Sequence, residues 1–171
     1  MIEVRIHGRG GQGSVTSSQI IATAAFFDGK HSQAFPMFGV ERSGAPVMAL
    51  ARIDDKEIHD RSQVYEPDYV IVLDSTVMDS VDVKQGLKKE LIVNTKKDIK
   101  GIRCVDASQI AIDVLGNNFV NVIMVGAFAA FTNLISLNSV LKAIDQRFED
   151  KNVAEKNKSA VKRIYEKIKN K

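Results

Sequence analysis

The feature that most constrains this chain is a run of glycines set between a strand and a helix, Gly8-Arg9-Gly10-Gly11-Gln12-Gly13. Ahead of it, Ile2-Glu3-Val4-Arg5-Ile6 alternates apolar and polar residues, the pattern of a half-buried strand. Behind it, residues 13–27 carry mostly small side chains (Ser14, Thr16, Ser17, Ser18, Ala22, Thr23, Ala24, Ala25), so the predicted helix lies close on a sheet. Glycine permits positive φ and lets the backbone approach a ligand or a neighbouring strand with no Cβ in the way. The tight turn that results presents the unpaired N–H groups of the helix's first turn, with the helix dipole behind them. No Asp or Glu occupies that turn, so it favours an anion.

The glycine spacing matches the dinucleotide fingerprint, which also requires an acidic residue about twenty positions on to hold the ribose. That stretch reads Ser32-Gln33-Ala34-Phe35-Pro36, and Asp28 comes too early, in the Asp28-Gly29-Lys30 turn that ends the helix with Gly29 at C′. NAD and FAD are therefore demoted, and close helix–strand packing is the plain alternative for the glycines. A Walker A phosphate loop fails as well, because Ser14 follows Gly13 where Lys and a hydroxyl residue are needed.

The remaining pattern alternates strand and helix. Residues 31–46 hold two prolines and neither period, which predicts a structured loop whose Phe35, Met37 and Phe38 suit either the core or a contact surface. Residues 47–52 suit a strand, with 57–59 pairing back as a short hairpin strand. Tyr69-Val70-Ile71-Val72-Leu73 and Glu90-Leu91-Ile92-Val93-Asn94 read as strands buried on both faces, and 101–106 as another. Helices follow over 108–115, 121–135, 139–148 and 153–168, the second apolar on every side with Gly126 at a close-packing position. It is too short for a membrane span, at fewer than about eighteen apolar residues. The predicted fold is α/β: one domain over 1–171, three layers α/β/α, a mostly parallel sheet made mixed by the hairpin, and a Rossmann-like glycine-rich first turn.

Composition excludes several chemistries. Cys104 is the single cysteine, so a disulfide framework, a cysteine zinc cluster and a four-thiolate iron–sulfur site are out of reach. His7, His31 and His59 stand in no triad spacing, and His7, at the end of the first strand, reads as a hydrogen-bonded structural histidine. No metal site emerges. The N-terminus lacks the basic and apolar regions of a signal peptide, and the expectation is a cytoplasmic protein that meets no membrane. Residues 151–171 hold eight of the 24 Lys and Arg and two of the 21 acids, so this tail carries +6 and the remainder −3. No aromatic-studded basic stripe accompanies it, which reads as a solvated helix face and not as a nucleic-acid site.

Laid out in this way, the chain resembles the gamma subunit of the 2-oxoacid:ferredoxin oxidoreductases, the pyruvate or 2-oxoisovalerate type. The resemblance rests on an ordered set: the glycine motif, Asp28-Gly29-Lys30, Ala34-Phe35-Pro36-Met37-Phe38-Gly39, Glu41-Arg42 with Gly44-Ala45-Pro46, Arg61-Ser62-Gln63 before Tyr65-Glu66-Pro67-Asp68, and Asn121 leading into Gly126-Ala127-Phe128-Ala129. Val40 and Ser43 depart from the family pattern of a proline and a second arginine. The resemblance implies a multi-subunit enzyme that oxidatively decarboxylates a 2-oxoacid to acyl-CoA and CO2 with reduction of ferredoxin, or the reverse. It implies alpha, beta and delta partner subunits that carry thiamine diphosphate, Mg and iron–sulfur clusters, with coenzyme A as co-substrate and no catalytic residue or cofactor of this chain's own. Gly10, Gly11, Gln12, Gly13 and Arg42 become candidates for coenzyme A or anion binding. Phe35, Pro36, Phe38, Glu41 and Arg42 become candidates for the partner interface. A stand-alone nucleotide-binding enzyme, a non-enzymatic binding module, and the indolepyruvate or 2-oxoglutarate relative are the alternatives.

Overall fold

The computed structural model of the chain describes residues 1–37 and 44–170. Its strands are β1 (Ile2–Arg9), β2 (His31–Met37), β3 (Pro46–Asp54), β4 (Tyr69–Val72), β5 (Glu90–Asn94) and β6 (Arg103–Val105). Its helices are α1 (Ser14–Phe27), α2 (Ala107–Leu115), α3 (Asn121–Thr132), α4 (Leu137–Arg147) and α5 (Lys151–Lys169), with a 3₁₀ segment at Ser75–Asp79.

The strands form one mixed sheet in the order β2-β3-β1-β4-β5-β6. β1, β4, β5 and β6 pair in parallel, while β3 runs antiparallel to both β1 and β2. The glycine-rich turn joins β1 to α1 as expected, but β3 separates β2 from β1. The β1–α1–β2 crossover therefore does not make the adjacent βαβ unit that a dinucleotide site uses.

Two sequence expectations are corrected here. Residues 31–37 are a strand, because Gln33, Phe35 and Met37 share one face and Ser32, Ala34 and Pro36 the other, in register with Arg52, Leu50, Met48 and with Ile53, Ala51, Ala49. Pro36 is tolerated because β2 is an edge strand, with one side unpaired among the described residues. Residues 57–59 form no strand; β3 pairs with β2 and β1, leaving no position for a second hairpin partner.

Period-2 alternation sorts the sheet into two faces. Val4, Ile6, Ala51, Ile53, Ile71, Ile92 and Val105 join the apolar residues of all five helices in the main core. Val70, Val72, Leu91 and Val93 face the other way, where Val77 and Val83 cover them with Met78, Val81, Leu87 and Ile102. The third layer is thus thin, built from the 3₁₀ segment and irregular chain rather than from α-helices.

Within the helical layer, α3 is the centre. Val122 through Ala130 are buried without a break, and the helix packs against each of the other four. Gly126 faces α5, where an added Cβ would lie 2.9 Å from Val161 Cγ1 and 3.1 Å from Ile164 Cγ2. In α1, buried Ser17, Ser18, Ala24 and Ala25 bring its backbone close to the sheet, as the small side chains predicted.

Candidate functional site

The turn after β1 is held by its own side chains. Gln12 Oε1 accepts from the Arg9 N–H at 2.7 Å, and Gln12 Nε2 donates to Asp74 Oδ2 at 2.9 Å. Arg9 donates to Thr76 Oγ1 through Nε (3.0 Å) and Nη2 (2.8 Å), and to the Gly44 carbonyl through Nη1 (3.0 Å). Gly10 N–H donates to Ala45 O at 2.8 Å, tying the turn to the start of β3. Burial alone would raise the Asp74 carboxyl; bonds from Thr76 and Gln12, with Arg9 nearby, outweigh it and hold the group below the usual carboxylate range. Both polar ends of the Gln12 amide are thereby occupied, as is the Gly10 N–H.

What remains open is the helix end itself. Gly13, at φ 83°, stands at the N-cap of α1 in the left-handed region, and a Cβ there would collide with the Asn121 side chain. That collision identifies a neighbour absent from the sequence motif: the N-terminus of α3. The two helix ends are tied through Ser17 Oγ, which donates to Gly13 O at 3.2 Å or Asn121 O at 3.1 Å. Among the described residues, neither end has a side-chain cap. The other three α-helices do, through Asp106, Ser136 and Asp150.

The two bare ends open into a cavity of about 560 Å³. Gly11, Gly13 and Thr16 line one side, Asn121 and Val122 a second, and Arg147, Lys156 and Asn157 a third, with Phe119 at the rim. Two helix dipoles and two side-chain cations therefore converge, and neither helix has an acid in its first turn. A phosphate or carboxylate is the chemistry such a cavity suits.

Of the predicted anion-binding residues, Gly11, Gln12 and Gly13 line this cavity and Gly10 does not. Arg42, Phe38 and Glu41 lie outside the described residues, as do Val40 and Ser43. Phe35 and Pro36 are half-buried on β2, and Phe35 lies under the Arg52 guanidinium, 5.3 Å from its ring centre. Arg52 is itself fully buried, bonded to Glu3 at 2.9 Å and to the carbonyls of Asp60 and Ser62. His7 is buried, but the hydrogen bond expected of it is not made at Nε2, which has no partner among the described residues. Burial first, then the charge of Arg5, push its imidazole down to about 4. As neighbours of the glycine turn, Asn121, Arg147 and Lys156 are not legible in the sequence, because they lie over a hundred residues from it; the one signal, for the α3 end, is Val120, a residue that cannot cap.

A family model described as pyruvate ferredoxin/flavodoxin oxidoreductase matches residues 3–167. The chain belongs to that family. Within the family it is 56% identical to pyruvate synthase subunit PorC of Methanocaldococcus jannaschii, over 96% of either chain. It is 49% identical to the pyruvate/ketoisovalerate oxidoreductases common subunit gamma of Pyrococcus furiosus, over 98% of this chain and 97% of that one. The crystal structure of pyruvate oxidoreductase subunit PORC from Thermotoga maritima has the same fold, with a TM-score of 0.84, 37% identity, and coverage of 96% and 95%. These matches favour the gamma-subunit reading over a stand-alone nucleotide enzyme: the chain is a gamma-type subunit of a pyruvate:ferredoxin oxidoreductase. Among the described residues, no helix of this subunit is long and apolar enough to cross a membrane.

Proposed function

We propose that all 171 residues form one gamma domain that packs on alpha, beta and delta subunits and helps hold coenzyme A while pyruvate is converted to acetyl-CoA and CO2, or the reverse. In this reading thiamine diphosphate with magnesium, which stabilises the carbanion left by decarboxylation, and iron–sulfur clusters, which carry electrons to ferredoxin, belong to the partners. The donor set of this chain does not fit them: Cys104 is its single thiol, and no three His, Cys, Asp or Glu side chains converge among the described residues.

The observation that carries the proposal is the meeting of two uncapped helix ends with Arg147 and Lys156 around one cavity. The phosphates of coenzyme A match that chemistry, with Gly11 and Gly13 allowing close approach and Arg42 an additional fork. In the same reading residues 35–46 meet the catalytic partners, with Phe35, Pro36, Phe38, Glu41 and Arg42 as contacts.

Steady-state kinetics of the assembled enzyme test it. Arg147→Ala, Lys156→Ala and Arg42→Ala should each raise the KM for coenzyme A on the order of tenfold, the size of one charge-assisted hydrogen bond of about 1.5 kcal/mol. The KM for pyruvate, the subunit stoichiometry and the cofactor content should stay near wild type. An unchanged KM for coenzyme A in all three would refute the coenzyme role. Dissociation of the Arg42→Ala complex with normal residual kinetics would make Arg42 an interface residue instead.

A further inference from the structure

The basic last helix finds no use in the coenzyme site beyond Lys156, and its C-terminal half lies elsewhere. β6 is the last strand of the sheet, so one of its sides has no strand neighbour among the described residues. A groove of about 870 Å³ runs along that edge, bounded by β6, the end of α3 and the end of α5. Val105 turns its carbonyl toward β5, accepting from Thr95 N–H at 2.8 Å. Successive residues of a strand direct their backbone groups to opposite sides, so Cys104 turns its N–H and C=O to the open edge.

The groove is apolar below and cationic above. Phe131, Ile164 and Ile168 form part of its floor. Five Lys and Arg line it against two Asp, a local net of +3. Three of the five are engaged within the chain: Arg103 with Glu90 at 2.8 Å, Lys96 near Asp106 at 3.9 Å, and Lys169 with Asn133 at 2.6 Å. Lys97 and Lys167 have no carboxylate within ion-pair distance among the described residues.

We propose that this edge is a docking site for an extended acidic segment of another subunit, which adds to the sheet beside β6 as a further strand. The strand's backbone pairs with Cys104, its apolar side chains rest on Phe131 and Ile168, and its carboxylates reach Lys97 and Lys167. A three-residue edge offers a short ladder, so the contact works within an assembly, where tethering supplies a high effective concentration. The charge asymmetry of the sequence, +6 over 151–171, then serves partner choice and register. The inference rests on the gamma-subunit reading.

The test uses the assembled complex. Zero-length carbodiimide coupling followed by peptide mapping should join Lys97 or Lys167 to Asp or Glu of another subunit. The double reversal Lys97→Glu/Lys167→Glu should at least halve the salt concentration at which that subunit is lost on gel filtration, whereas Lys151→Glu/Lys162→Glu should leave it unchanged. Coupling of both lysines only to carboxylates of this chain would overturn the proposal, as would equal effects of the two double variants or none from the first. Co-purifying nucleic acid that the first variant alone removes would reassign the groove to that ligand and overturn it too. A wild-type chain that purifies from its own cells without partners would refute the subunit reading itself, and this proposal with it; a stable complex with an unaffected first variant refutes the groove alone.

Discussion

Gly126 offers the sharpest test of the core, because two effects of known size oppose each other there. In an exposed helix interior, Gly→Ala gains about 1 kcal/mol from propensity. At Gly126 the new methyl would stand 2.9 Å from Val161 Cγ1, 3.1 Å from Ile164 Cγ2 and 3.3 Å from Val161 O. Val161 is β-branched and fully buried, so it has no alternative rotamer space to take up. Overpacking costs about 1–3 kcal/mol, so Gly126→Ala should lose a net of about 0–2 kcal/mol, and Gly126→Leu, with three more carbons to place, more than about 3 kcal/mol. The deciding experiment is a double-mutant cycle with Val161→Ala, read by urea unfolding of the purified chain. Removing Cγ1 deletes the closest contact, so Gly126→Ala should become neutral or stabilising in that background, a coupling of about 1 kcal/mol or more. If Gly126→Ala stabilises the wild-type chain by the full propensity value, α3 and α5 do not touch as described and the reasoning fails.

Three further outcomes are expected. His7 stays neutral in the fold down to about pH 4 while the unfolded chain binds its proton near 6.5, so stability should fall as pH drops through that window, by about 2–3 kcal/mol at pH 4.5, and His7→Gln should remove this share of the slope in urea titrations at pH 7.5 and 4.5. Asp28 accepts from Ser136 N–H (2.6 Å), Ser136 Oγ (2.7 Å) and Ser139 Oγ (2.6 Å), joining the end of α1 to the start of α4. Burial raises its carboxyl, but these bonds outweigh that and hold it below the usual range, so Asp28→Ala should cost about 1–2 kcal/mol at neutral pH and progressively less in acid below about pH 4, measured by thermal unfolding. The isolated chain should be colourless and fail to reduce a viologen dye with pyruvate and coenzyme A; dye reduction by the chain alone would refute its dependence on partners.

The parts of the fold that were legible are those whose residues carry their own instructions. Tyr69–Val72 and Glu90–Asn94 announce themselves as central strands because both of their faces are apolar, and α3 as a buried helix because no face is polar. β2 is not legible in the sequence because its alternation is weak: Ser32 and Gln33 are both polar, and Pro36 argues against any strand but an edge one. The thin third layer was equally hidden. Val77, Val81, Val83 and Leu87 have no strict period, and only the finished sheet shows that Val70, Val72, Leu91 and Val93 need them as cover.

For the site, the glycine motif located one wall and little more. A sequence motif reports local backbone geometry, and here it reported that α1 begins bare, at a glycine, with no acid in its first turn. The opposite wall depends on long-range packing: Gly13 lacks a Cβ because Asn121 needs the space, and Asn121 is there because the all-apolar α3 is driven beside α1. Arg147 and Lys156 then arrive as the end of α4 and the start of α5, two positions that read alone as ordinary surface cations. The one trace of this convergence in the sequence is negative. Asp106, Ser136 and Asp150 cap their helices while Gly13 and Val120 do not, and two bare helix ends in one chain leave N–H groups that something else must satisfy.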